Sequence, residues 1–96
     1  MSNGAELTPS ALLEALIFDS PQPVAARELA AAAGLSIEET EAALVDLENR
    51  LAQGGLRLQR SRDRLQLVSA PAAAPYVEAL LGLEVTIRLT QAAMET

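Results

Sequence analysis

Few side chains in this sequence can do chemistry. There is no Cys, which removes a disulfide framework, a thiolate metal site and a cysteine nucleophile. There is no His, which removes the commonest general base and the commonest metal ligand. Catalysis would have to come from carboxylates, Ser, Thr or Tyr. Acid pairs such as Glu38-Glu39 fall on one helix face beside water and read as a solvated surface. Gly54-Gly55 lacks both the Lys and the following helix of a phosphate-binding loop. The expectation is a protein that is not an enzyme, with no cofactor, no metal and no small-molecule substrate.

The remaining chemistry is charge. Thirteen acids face seven Arg, with no Lys, for a net of −6. The charge is zoned: −7 over residues 1–50, +3 over 51–70 and −2 over 71–96. Arg57, Arg60, Arg62 and Arg64 make the only basic stretch. They are candidates for an anionic partner, either nucleic acid or an acidic protein surface. The plainer reading is a solvated strand edge, where charge discourages edge-to-edge pairing. Phe18 and Tyr76 are the only rings, which excludes base stacking as a main binding mode. A pI of 4.4 has the wrong sign for a dedicated DNA-binding domain, which usually lies above about 9.

These residues need elements to hold them. A chain of 96 residues, half of them hydrophobic, builds one small core without staples. Thr8-Pro9 caps and opens a first helix that runs to about Phe18. At about 100° per residue, Leu12, Leu13, Leu16 and Ile17 cover about 140°, and Ala15 widens the arc to about 200°. That face is broad enough to touch two things. Ser20-Pro21-Gln22-Pro23 breaks the helix and extends the chain. A second, Ala-rich helix follows from about Ala25 to Ala33, and Gly34 ends it. Ser36-Ile37-Glu38-Glu39 is a capping box that opens a third helix reaching about Ala52. Ile37, Thr40, Ala43, Leu44, Leu47 and Leu51 share its inner arc of about 120°.

After Gly54-Gly55 the period changes to two. Leu56 to Arg60 and Arg64 to Leu67 read as a β-hairpin around Ser61-Arg62-Asp63, with Leu56, Leu58, Leu65 and Leu67 on its buried face. Three helices followed by a hairpin is the order of a winged helix-turn-helix, an α+β fold that is mostly α. A short helix is expected from Pro75 through Leu81, closed by Gly82. Leu83 to Leu89 alternates as a linker or edge strand. Thr90 to Glu95 looks like the start of another helix, so a second domain is expected to begin near residue 89. The expected division is a winged-helix domain over 1–82 and a linker with the start of a second domain over 83–96. The longest uncharged stretch, Leu65 to Val77, holds two prolines and is too short to cross a bilayer. No secretory signal is visible, and the default location is cytosolic.

A helix-turn-helix raises DNA reading as the first hypothesis. Its third helix would enter the major groove, where affinity demands positive charge. The outer face of this third helix carries Glu38, Glu39, Glu41, Asp46 and Glu48 against Arg50, with Val45 its one apolar exception. Major-groove reading is therefore disfavoured. A winged-helix transcriptional regulator using its Arg-rich hairpin on DNA stays open as an alternative. The composition favours a protein–protein module, with the surplus apolar surface of helix one, including Leu13, Ile17 and Phe18, facing a partner chain or a second copy.

The order of elements also resembles a known family. Leu12-Leu13-Glu14-Ala15-Leu16-Ile17-Phe18-Asp19-Ser20-Pro21-Gln22-Pro23-Val24 resembles the opening of segregation and condensation protein B. Glu28-Leu29, Ala30 to Leu35 and Ser36-Ile37-Glu38-Glu39 are similar to its second and third helices. Gly55-Leu56-Arg57-Leu58, Leu65-Gln66-Leu67-Val68 and Ala74-Pro75-Tyr76-Val77 resemble its wing and the helix after it. Leu89 to Thr96 resembles the start of its second winged-helix domain. The likeness covers residues 12–96 and rests on order and spacing. It implies two winged-helix domains per chain and homodimers made through the N-terminal domains. It also implies binding of the kleisin ScpA, mainly through the C-terminal domains, and association with the Smc ATPase in a condensin-like complex on the nucleoid. The family offers no catalytic residues to carry over. Two departures matter. The stop at Thr96 would leave kleisin binding weak or absent, and Arg60-Ser61-Arg62-Asp63-Arg64 is more basic than the family's wing, which keeps a weak DNA contact open.

Overall fold

The computed structural model describes residues 6–83. Helix α1 spans Pro9–Asp19. The Thr8 hydroxyl accepts the Ala11 N–H at 3.2 Å, and Pro9 occupies the first turn, where its missing donor costs nothing. The proline-containing segment after α1 does more than extend the chain. Val24–Ala25 forms a two-residue strand, β1, that the sequence did not announce. Helix α2, Ala26–Ala33, starts with the Glu28 carboxylate accepting the Ala25 N–H at 2.9 Å. It ends at Gly34, whose φ of +72° is left-handed, so that the Leu35 N–H reaches back to the Ala30 carbonyl at 2.9 Å.

Helix α3, Ile37–Leu51, opens on the expected capping box. The Ser36 hydroxyl accepts the Glu39 N–H at 3.0 Å, and the Glu39 carboxylate accepts the Ser36 N–H at 2.8 Å. Strands β2, Leu56–Ser61, and β3, Arg64–Ser69, pair antiparallel from Leu56↔Ser69 to Ser61↔Arg64. The two-residue loop between them places Arg62 at φ +61°. Strand β1 adds to the far side of β3 through Val24↔Leu65 and Ala25↔Arg64, giving the order β1-β3-β2. The result is the winged helix-turn-helix that the hydrophobic periods imply, with a third strand.

The core lies where the three helices meet β3. Leu13, Leu29, Leu47 and Leu65 are each at most 1% exposed, and Ile17, Ala26, Ala43 and Leu44 complete the buried cluster. Thr40 is also buried, and its hydroxyl donates to the Ser36 carbonyl at 2.8 Å. Two positions assigned to buried faces are corrected. Ile37 is 50% exposed, because a side chain on the first helical residue leans back over the turn, beyond the reach of α1 and β3. Leu56 is 40% exposed, because it opens β2 opposite Ser69 at the open end of the hairpin, away from the cluster.

A 3-10 turn, Pro71–Ala73, leads into a helix over 74–83, here α4. Gly82 does not close it, since helical structure continues through residue 83. No neighbour crowds Gly82, so the helix passes it without a steric reason to stop. Leu83, expected in a linker or strand, is therefore helical. The remainder of that segment and the helix start at Thr90 to Glu95 lie outside the described residues.

Truncating the core has a predictable cost. Leu47→Ala is expected to lose about 2–5 kcal/mol in urea denaturation, while Val45→Ala, on the opposite face and exposed, stays within about 0.5 kcal/mol.

Candidate interaction surfaces

The four arginines of the hairpin come together with the helices more than with each other. Arg57 sits just past the end of α3, where helical carbonyls lack intrahelical partners. Its Nη1 donates to the carbonyls of Leu51, Gly54 and Leu56 at 2.9, 2.7 and 2.8 Å. Arg60 lies two-pronged on Glu41 of α3, with Nη1 to Oε1 at 3.0 Å and Nη2 to Oε2 at 2.7 Å. These hydrogen bonds hold the Glu41 carboxyl below its ordinary pKa and push the Arg60 guanidinium up, against partial burial that opposes both. Arg64 donates to the Pro23 carbonyl at 3.3 Å. Arg62 stands at the tip and has no hydrogen-bond or ion-pair partner among the described residues. The tip itself is tied down. Asp63 pairs with Arg27 at 3.3 Å, and its carbonyl accepts the Ala26 N–H at 3.0 Å.

The signal for these roles was partly visible. An Arg two residues after a Gly-Gly helix stop is well placed to cap carbonyls. Nothing in the local sequence marks Glu41 and Arg60 as partners, because 19 residues and a turn separate them.

The outer face of α3 is acidic, as its spacing required. Arg50 is the exception, and it is turned toward α1. Its Nε donates to the buried Ser10 hydroxyl at 3.1 Å, its Nη2 reaches Glu14 at 3.1 Å, and Asp46 lies 3.9 Å from Nε. Among the described residues no group of three or more Asp and Glu is arranged to hold a metal ion.

The surplus apolar surface is distributed differently from the expectation. Leu13 and Ile17 belong to the chain's own core, so they are removed from any outer surface. Their spacing could not separate core from interface, because both lie on the widest part of the apolar arc. Phe18 remains outside, 75% exposed. It borders a groove of about 290 Å³ with Pro21, Leu56 and Leu67. Tyr76, the other ring, is 77% exposed on α4. Leu80 and Leu83 follow it at four and seven residues and are also exposed, making one stripe. That i, i+4, i+7 pattern was present in the sequence and points to a surface that the reading of residues 75–81 as a short closed helix missed.

The order of these elements has counterparts among known proteins. The family model for the segregation and condensation complex subunit ScpB matches residues 11–96. The chain belongs to the ScpB family. It is 35% identical over 86 residues to segregation and condensation protein B of Carboxydothermus hydrogenoformans, a match that covers 88% of this chain and 46% of that protein. The chain thus spans about half the length of that curated relative. The crystal structure of ScpB from Mycobacterium tuberculosis shares the fold with a TM-score of 0.75 at 30% identity, over 84% of this chain and 54% of that one. A ScpB N-terminal domain, crystallised as a dimer complexed with ScpA peptide, gives a TM-score of 0.68 at 24% identity. That likeness, which is one of fold, covers 74% of this chain and 91% of the other. Among the described residues of this ScpB chain, no helix is long and apolar enough to cross a membrane.

The ties of the wing can be weighed separately. Arg57→Ala is expected to cost about 1.5–3 kcal/mol in urea denaturation, because it removes charged hydrogen bonds to several carbonyls at once. Arg62→Gly should cost nothing, since glycine accepts φ +61° without strain. The Glu41–Arg60 pair is more than a third exposed on both sides and is worth at most about 1 kcal/mol. The folded pKa of Glu41 is depressed, so this contribution is present above the unfolded carboxylate value and fades as pH falls through the folded value. Paired urea titrations of the parent and Glu41→Gln should therefore differ at neutral pH and converge as the pH falls through the depressed value of the folded carboxyl.

Proposed function

We propose that this chain is the N-terminal winged-helix domain of a ScpB protein, with residues 1–82 as the domain and 83–96 leading into a second winged-helix domain. In this reading it acts as the dimerisation module of a non-enzymatic subunit of the Smc–kleisin complex that condenses and segregates bacterial chromosomes. It works in the cytoplasm at the nucleoid. The kleisin ScpA and the Smc ATPase are its partners, engaged mainly through the C-terminal domain.

One observation carries the dimer reading: both aromatic side chains are outside. A chain with a single Phe and a single Tyr gains most by burying them, since rings supply the largest apolar areas. Here each is about three-quarters exposed and joined by exposed leucines, Leu56 beside Phe18, and Leu80 and Leu83 beside Tyr76. Aromatic residues are enriched at interfaces, and contiguous exposed apolar patches mark them. The ScpB N-terminal domain that crystallised as a dimer with ScpA peptide supports the same reading. The alternative, a transcriptional regulator whose wing binds DNA, is the weaker one. Three of its four arginines are already engaged within the chain, and the third helix faces outward with carboxylates.

Light scattering at concentrations on the order of tens of micromolar should return twice the chain mass. Phe18→Asp with Tyr76→Asp should return the single mass with an unchanged circular dichroism spectrum. A parent that stays monomeric would sink the dimerisation role.

A further inference from the structure

Helix α4 is left uncovered by its own chain. Of residues 74–83 only Val77 is half-buried, and the rest are exposed. A helix this short does not hold in water by itself, and packing of an apolar face normally supplies what is missing. At about 100° per residue, Tyr76, Ala79, Leu80 and Leu83 share an arc of about 100°. Along it Tyr76, Leu80 and Leu83 are 77%, 59% and 61% exposed. Glu78 is the helix's one charge, and it sits roughly 150° from the middle of that arc, on the far side.

We infer that a second copy of this chain covers this face, in an antiparallel α4–α4 seam whose twofold axis passes between Ala79 and Leu80. The inference rests on the dimer reading and narrows its contact to one helix. The order of the four side chains makes the face complementary to itself. Run antiparallel about that axis, Tyr76 meets the partner's Leu83, and Ala79 meets the partner's Leu80. Near the axis a small side chain falls against a large one, so the two helices can approach closely, and at either end a ring falls against a leucine. A closed twofold contact of this kind uses one patch twice. Charge selects the same place. Each copy carries a net of −6, so most faces of two copies repel. The run from Leu65 to Leu83 holds a single charge, Glu78, and the seam turns it outward. Phe18 lies outside the seam. Its groove is flanked by Gln22 and Gln66, and the exposed Asp19 follows it directly, so two copies meeting there would bury polar and charged groups.

The chain has no Cys, so each Cys substitution supplies a single thiol. The 96-residue chain is prepared as Leu80→Cys, Leu81→Cys and Phe18→Cys, treated with a short bis-maleimide and run on a denaturing gel. Leu80→Cys should be captured as a cross-linked pair. Leu81→Cys, one residue on and about 100° round the helix, should stay single, and so should Phe18→Cys. No capture at Leu80→Cys, or equal capture at either control, overturns the seam. Light scattering then separates the seam from the dimer reading. A parent of double mass whose Leu80→Cys variant is not captured sinks the seam alone, and a parent of single mass sinks both. In the same measurement Leu80→Asp should weaken self-association at least about tenfold, while Phe18→Asp keeps the double mass. A Phe18→Asp chain of single mass would move the contact to α1 and overturn the seam.

Discussion

Four leucines hold this domain together. Leu13, Leu29, Leu47 and Leu65 come one each from α1, α2, α3 and β3, and all are essentially inaccessible. No ring helps them. The core is built from aliphatic side chains with alanines between, so close helix approach takes the place of bulk. The run of alanines in α2 makes that approach available, with Ala26 and Ala30 buried and Ala33 packed at the margin. A core so assembled is saturated by one to three residues from each element. Apolar side chains beyond that number are left facing water, and Phe18 and Tyr76 are the largest of them.

Charge does a different task on each side of the molecule. On the hairpin, arginines act at short range as ties: Arg57 on the end of α3, Arg60 on Glu41, Arg64 on the Pro23 carbonyl. Their guanidinium forks meet several acceptors at once, which a Lys ammonium does less well. On α3 Glu39, Glu41 and Asp46 meet Ser36, Arg60 and Arg50, and Glu38 and Glu48 keep the outer face negative. A winged helix whose recognition helix is acidic and whose wing is folded inward is suited to protein surfaces, and that agrees with the family to which the chain belongs.

Much of this was legible beforehand, and the misses have physical causes. Capping residues and periodicity are local, so Thr8-Pro9, Gly34 and the Ser36–Glu39 box placed the helices within a residue or two. The change of period after Gly55 placed the hairpin. Burial is not local. Leu12, Leu13, Leu16 and Ile17 share the apolar arc of α1, and only the positions of its neighbours decide that Leu13 and Ile17 are core and the other two marginal. The same holds for Leu56 and Ile37, apolar by pattern and exposed because no neighbour reaches them. The wing arginines read as a field because sequence shows charge without its partners. Strand β1 was missed because two residues carry no period at all.

That short strand has a consequence for the order in which the molecule assembles. Helices and the β2–β3 hairpin close loops of a few residues and can form early. Strand β1 cannot exist until β3 does, and it meets Leu65 across roughly forty residues of chain, a closure that carries a larger entropic cost. The contacts that fasten it are Ala26 N–H to the Asp63 carbonyl and Arg27 to Asp63. Ala26 is itself a core residue, and α1 packs on β3 over a still longer stretch of chain, so the clasp closes along with the core and not after it. The start of α2 and the tip of the hairpin are thus one staple, which ties a helix end and a wing that sequence places far apart.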